Sequence, residues 1–178
     1  MPHTTLLTDR LELCPMTLAI VEAVMTGERV AAERLIGATL PEAWPGRALI
    51  ERAFSASLEA IRADPERRLW GDRVMIARNG PRRVIGSVVF HGAPGEDGVV
   101  EVAYGVEQES QQQGYATEAT RASVLWALAH AGVEMVRATT PSWHVPSRRV
   151  LEKCGFALVG TREEQSMVGE LYEFERRR

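Results

Sequence analysis

Apolar positions along this chain follow two rhythms, every second residue and every third or fourth, and the changes between them mark the predicted elements. Arg10 to Cys14 alternates polar and apolar as a half-buried strand does; Pro15 is expected to end it, and Thr17 to cap a following helix. That helix, Leu18 to Thr26, stops at Gly27, and Glu28 to Ile36 reads as a second one ending at Gly37. The stretch LPEAWPG, Leu40 to Gly46, is rich in proline and glycine and is expected to be a loop leaving Trp44 in the open. Ile50, Phe54, Leu58 and Ile61 recur at helical spacing over Arg47 to Arg62, and Asp64-Pro65 breaks the pattern.

The rhythm then changes to strands. Asp72 to Ala77, with Val74 and Ile76 on one face, joins Val84 to Phe90 through Asn79-Gly80, a hairpin signal. A second turn, Ala93 to Gly98, leads into Val99 to Val106, giving an antiparallel meander. Helical spacing returns in Tyr115, Ala119, Ala122, Trp126 and Ala129, with Gly132 as the stop. Val133 to Thr139 reads as a strand, Pro146 to Lys153 as a short helix stopped by Gly155, and Phe156 to Gly160 with Met167 to Phe174 as a closing hairpin.

Composition narrows the function. At 178 residues and 45% hydrophobic, the chain has the size and apolar content of one domain with a continuous core. A formal net charge of -3 argues against nucleic acid as the main partner. The basic cluster Arg176-Arg177-Arg178 reads as a solvated end. Cys14 and Cys154 lie far apart without metal-ligand spacing, so neither a disulfide framework nor a metal site is indicated, and a reducing cytoplasm is expected. The apolar runs fall short of the roughly 20 residues a membrane span needs, so no membrane partner is expected.

The candidate chemistry centres on QQQGYA, Gln111 to Ala116, between the strand ending at Val106 and the helix from Tyr115. Such a junction presents unpaired N–H groups at the positive end of a helix dipole, where phosphate binds. Gly114 lets backbone approach an anion closely, and Ala116 keeps the next turn small. The loop has no lysine, and the sequence lacks both GxxxxGK[ST] and GxGxxG, so neither a P-loop nor a Rossmann dinucleotide site is indicated.

In its context this loop resembles that of the GNAT acetyltransferase superfamily, within it the ribosomal-protein N-terminal acetyltransferase-like branch. Gln111, Gly114 and Ala116 fit the family's [QR]-x-x-G-x-[GA] loop, Thr117-Glu118-Ala119 its helix start, and Val150 to Phe156, VLEKCGF, its late signature. The opening LLTDRLELCPM resembles the family's first strand. The resemblance implies a single α/β (α+β) domain with a central mixed, mostly antiparallel sheet flanked by helices. It implies acetyl-CoA as co-substrate, its pyrophosphate held by Gln111, Gln112, Gln113, Gly114, Tyr115, Ala116 and Thr117, and its pantetheine contacting backbone at or beside Val106. Gly105, inside an apolar strand, is expected to mark a bulge or a close backbone approach.

Acyl transfer to an amine needs a proton acceptor, because a free primary amine has a pKa of about 8 to 10. Glu101 lies amid apolar residues at a position where the resemblance implies a catalytic glutamate, and burial would make it a better base; alternatively it is an outward-facing strand glutamate, and Glu96 and Asp97 compete for the role. For the departing thiolate the family's usual tyrosine is replaced by Leu151, which leaves Ser147 as hydrogen-bond donor or, alternatively, as an ordinary first-turn helix residue. His144 stands where the family has asparagine, either contacting pantetheine or serving as a loop residue beside Trp143. The expected function is N-acetylation of a primary amine, on a protein N-terminus or a small molecule, by direct attack in a ternary complex. The alternative is an acyl-CoA sensor without turnover. The acceptor and the oligomeric state, a homodimer included, stay open.

Overall fold

The computed structural model describes residues 5–42, 70–164 and 169–178. The predicted loop around Trp44, the predicted helix Arg47 to Arg62, His3 and Met167 lie outside them. The described residues form one eight-stranded mixed sheet in the order β1-β2-β3-β4-β5-β6-β8-β7. Its strands are β1 (Leu6–Leu7), β2 (Leu11–Pro15), β3 (Asp72–Ala77), β4 (Arg83–Phe90), β5 (Val99–Val106), β6 (Met135–Pro141), β7 (Ala157–Glu164) and β8 (Gly169–Arg177). Every pairing is antiparallel except β5 with β6.

Strand alternation divides the apolar residues between two faces. One face packs α1 (Leu18–Met25) and α2 (Arg29–Ile36) through Ile20, Val21, Ala32 and Ile36 onto Val74, Ile76 and Val84. The other receives α3 (Tyr115–Leu128) and α4 (Val145–Lys153), whose Ala119, Val124, Ala127 and Leu151 meet Leu13, Met75, Val88, Val100 and Val102. Thr17 caps α1 as expected, its hydroxyl accepting from the Ile20 N–H at 3.2 Å.

Pro15 is the last residue of its strand, as expected, and is itself still paired, with Arg73. Several expectations are corrected. The buried face of α3 is Ala119, Thr120, Ser123, Val124, Ala127 and Leu128, while Ala129 is exposed. Small side chains let this helix lie close to the sheet, and the aromatic Tyr115 and Trp126 pack at its flank; Trp126 stacks on the buried Arg73 guanidinium at 3.9 Å. The last strands begin and end later than predicted, and the terminal arginines are not a solvated tail. Arg176 Nη1 donates to the Cys154 carbonyl, and Arg178 donates to the carbonyls of Leu128 at 3.0 Å and His130 at 2.6 Å. These cations therefore satisfy the last carbonyls of α4 and α3, at the negative ends of both helices.

Candidate active site

β5 runs between two partners and keeps only one of them. It pairs with β6 at Val99, Val100 and Glu101 and then parts from it, while its ladder to β4 continues from Val102 to Val106. β6 stays paired to β8 along its whole length, Met135 to Pro141, so it cannot follow β5. The result is a wedge whose β5 wall, Val102 to Val106, has backbone groups with no strand on that side among the described residues. Of the two expectations for Gly105, a bulge or a close backbone approach, the ladder is regular there and the close approach is what occurs. The close approach is at Gly86, where a Cβ would stand 2.2 Å from the Gly105 carbonyl oxygen, whereas a Cβ on Gly105 would meet nothing within 4 Å.

At the end of β5 the chain makes a short 3-10 turn, Gln108–Ser110, fixed by Glu107, which receives the Arg83 guanidinium and, at 2.6 Å, the Ser110 hydroxyl. The QQQGYA loop follows, with Gln112 at φ 60° and Gly114 at φ 83°, both left-handed. Glu118 makes the first helical bond of α3, to the Gly114 carbonyl at 3.0 Å. The six preceding amides, Gln112 to Thr117, donate to no protein acceptor among the described residues. The Gln111 and Gln113 side chains fold back instead, onto the carbonyls of Val106 at 3.0 Å and Glu109 at 3.1 Å. What this loop offers a ligand is backbone.

A clamp that local reading missed holds the loop. Arg10, on the turn between β1 and β2, donates from Nη1 to the Gln113 carbonyl at 2.9 Å and from Nε to Glu118 at 2.7 Å, with its guanidinium 4.4 Å over the Tyr115 ring. The Arg10 amide and the Thr8 hydroxyl also donate to Glu118, at 2.9 and 2.6 Å. Burial pushes the Glu118 carboxyl up, but those hydrogen bonds outweigh it and hold it below the usual carboxylate value. Arg10, Arg121 and Lys153 line an open groove beside Gly114 and Thr117, which gives the lysine-free loop cationic neighbours.

The two predicted catalytic residues take opposite faces of the sheet. Glu101 is half-buried on the face away from α3, where the Thr139 hydroxyl donates to its carboxylate at 3.3 Å, and no described cation pairs with it. Of its competitors, Asp97 accepts from the Val99 amide within its own turn at 3.2 Å, and Glu96 is exposed on that turn. Ser147 lies on the α4 side. Its N–H donates to Nδ1 of His144 at 3.3 Å, so His144 is the N-cap of α4, a job that asparagine does equally well. The His144 ring also stacks on Trp143, with centroids 5.5 Å apart.

The other half of the Ser147 environment is Tyr104, which sequence reading passed over. Its hydroxyl lies 3.0 Å from Ser147 Oγ and 3.0 Å from the Ser147 carbonyl oxygen, bridging β5 to α4 across the wedge. Burial pushes the Tyr104 hydroxyl up to about 12, the hydrogen bond with Ser147 opposing it. Leu151, where the resemblance would have a tyrosine, is a core residue 1% exposed. Among the described residues no cluster of three potential ligands could hold a metal ion, and no helix is long and apolar enough to cross a membrane.

Parted strands thus lie beside a run of free amides at a helix start. Residues 10–157 match the acetyltransferase (GNAT) domain model, and the chain belongs to that family; it is an acetyl-CoA-dependent acyltransferase. It is similar to an uncharacterised N-acetyltransferase, YjdG of Bacillus subtilis strain 168, with 26% identity over 85% of this chain and 88% of that one. Its fold is that of the ribosomal L7/L12 alpha-N-protein acetyltransferase RimL solved with coenzyme A, at TM-score 0.65, 14% identity and coverage of 96% and 95% of the two chains. The microcin C7 self-immunity acetyltransferase MccE, solved with acetyl-CoA and AMP, matches at TM-score 0.65 and 13% identity over 99% and 97%.

Proposed function

We propose that the chain transfers the acetyl group of acetyl-CoA to a primary amine by direct attack in a ternary complex. The observation that carries this reading is the run of six unpaired amides, Gln112 to Thr117, at the open end of the β5/β6 wedge. The pyrophosphate accepts from those amides at the start of α3, and the nucleotide lies toward Arg10, Arg121 and Lys153. The pantetheine enters the wedge and pairs with the backbone of β5 up to Val106, with His144 at its flank.

The amine approaches from the Glu101 face. It attacks the thioester carbon, a C–N bond forms, and the amine proton passes to the Glu101 carboxylate through water. The C–S bond then breaks, and the sulfur, with an intrinsic thiol pKa of about 8.5, leaves as a thiolate hydrogen-bonded by the Ser147 hydroxyl. Glu101 suits the base role because Thr139 orients it and no described cation neutralises it. A protein α-amine, the group named for RimL, is one acceptor of the required chemistry, and a small-molecule amine is another. Incubating the protein with acetyl-CoA and a panel of amines while recording free thiol tests the reading. Amine-dependent thiol release is expected; saturable cofactor binding without release on any amine would leave only a sensor.

A further inference from the structure

Tyr104 and Ser147 share one geometric problem, which is how their two hydroxyl protons are placed. The Tyr104 oxygen is equidistant, at 3.0 Å, from Ser147 Oγ and from the Ser147 carbonyl. A phenol has one proton to donate and can also accept. If Tyr104 donates to the carbonyl, its oxygen can receive the Ser147 hydroxyl proton, and that proton is then held within the pair. If Tyr104 donates to Ser147 Oγ, the Ser147 proton is released to point elsewhere. The two arrangements use the same heavy-atom positions, so a rotation of two hydroxyl hydrogens interchanges them.

We infer that Tyr104 is a positioning residue which, as negative charge develops on the departing sulfur, turns its proton onto Ser147 Oγ and so directs the Ser147 hydroxyl at the thiolate. The inference rests on the acetyl-transfer reading and deepens it. Chained hydroxyls polarise one another, so a serine that receives a hydrogen bond is a better donor than a lone one. No proton leaves Tyr104: its burial keeps the phenol protonated, and the pair hands the sulfur a hydrogen bond while the thiolate takes its proton from water on release. The Tyr104 ring packs against the core shared with α3 and α4, which fixes the hydroxyl's reach. Strand β5 thereby supplies a tyrosine hydroxyl beside the first turn of α4.

The test is a double-substitution cycle on the full chain, read as kcat and KM for acetyl-CoA together with Tm. Tyr104→Phe is expected to lower kcat about tenfold, the worth of one net hydrogen bond, with KM changed less than twofold. Ser147→Ala is expected to lower kcat at least as much, and the double variant no further than Ser147→Ala alone, because Tyr104 acts only through that hydroxyl. Losses that multiply in the double variant would show that Tyr104 acts through packing, and undiminished kcat in Tyr104→Phe would overturn the inference. Should the phenylalanine chain be unstable, full kcat in Ser147→Ala alone overturns it as well. Absence of turnover in the unaltered chain with every amine is a different result, which removes the acetyl-transfer reading itself and the inference with it.

Discussion

The two ends of the wedge are built from different materials. At the loop end, where the proposal puts the pyrophosphate, the groups on offer are backbone amides, and their geometry is set by Gln112 and Gly114 in left-handed conformation and by Arg10 holding the Gln113 carbonyl. At the other end, where the proposed chemistry falls, the groups are side chains from three elements: Glu101 and Tyr104 on β5, Thr139 on β6, and His144 and Ser147 at the cap and in the first turn of α4. Backbone recognition depends on a contiguous hexapeptide and survives changes of side chain. Side-chain recognition depends on a constellation that one substitution can empty.

That contrast can be broken at either end, and the largest effect is expected in turnover. Glu101→Gln keeps the shape and the bond from Thr139 but removes the proposed base, so kcat at neutral pH should fall about 100-fold while acetyl-CoA affinity holds. As pH rises towards the amine's own pKa of about 8 to 10, the variant should recover, because the acceptor then loses its proton unaided. A pH–rate profile for the variant that parallels the wild type would remove Glu101 from the role.

At the other end, Gly114→Val places a β-branched residue at φ 83°, next to the Arg10 guanidinium. Strain of roughly 2–3 kcal/mol is relieved by reshaping the loop, so cofactor affinity should weaken about 30- to 100-fold by calorimetry, with Tm nearly unchanged. Affinity equal to wild type would mean that the loop's conformation is not what binds.

The clamp gives a smaller and pH-dependent signal. Glu118 has its carboxyl held low in the folded chain, so its contribution to stability is present above the unfolded carboxylate pKa of about 4.3 and is lost as pH falls through the folded value. Glu118→Gln should therefore lower Tm at pH 7 and flatten the decline of Tm below about pH 4; an unchanged acid limb would contradict the linkage.

The smallest effect concerns His144. Replacing it by alanine removes the acceptor for the Ser147 amide and should cost about 1 kcal/mol of stability in denaturant unfolding, whereas asparagine should restore it. Alanine and asparagine variants of equal stability would show that the cap contributes nothing.

The same contrast explains what could be read in the sequence. The loop was legible because strand, tight glycine turn and helix follow one another along the chain, and the strands β3 to β5 were legible from two-residue alternation and from Asn79-Gly80. The GNAT family assignment, drawn from short motifs, agrees with the domain match over residues 10–157. Arg10 reaching Glu118 was not legible, since the two lie 108 positions apart and nothing local couples them. Nor was Tyr104: alternation places it on the inner face of β5, but only the docking of α4 turns a core tyrosine into a partner of Ser147. The α3 face was misjudged because weight fell on its aromatic residues, while the contact surface with the sheet is made by Ala119, Ser123 and Ala127. The terminal arginines were misjudged because composition alone cannot show that β8 brings them to the ends of two helices.

The most direct test of the central claim, that parted strands and a backbone loop receive acetyl-CoA, is amide chemical-shift mapping on the isotope-labelled chain. At saturating acetyl-CoA the largest changes are expected at Gln112 to Thr117 and at Val102 to Val106. Saturation with these amides unmoved, or with the changes confined to β7 and β8, would contradict the account.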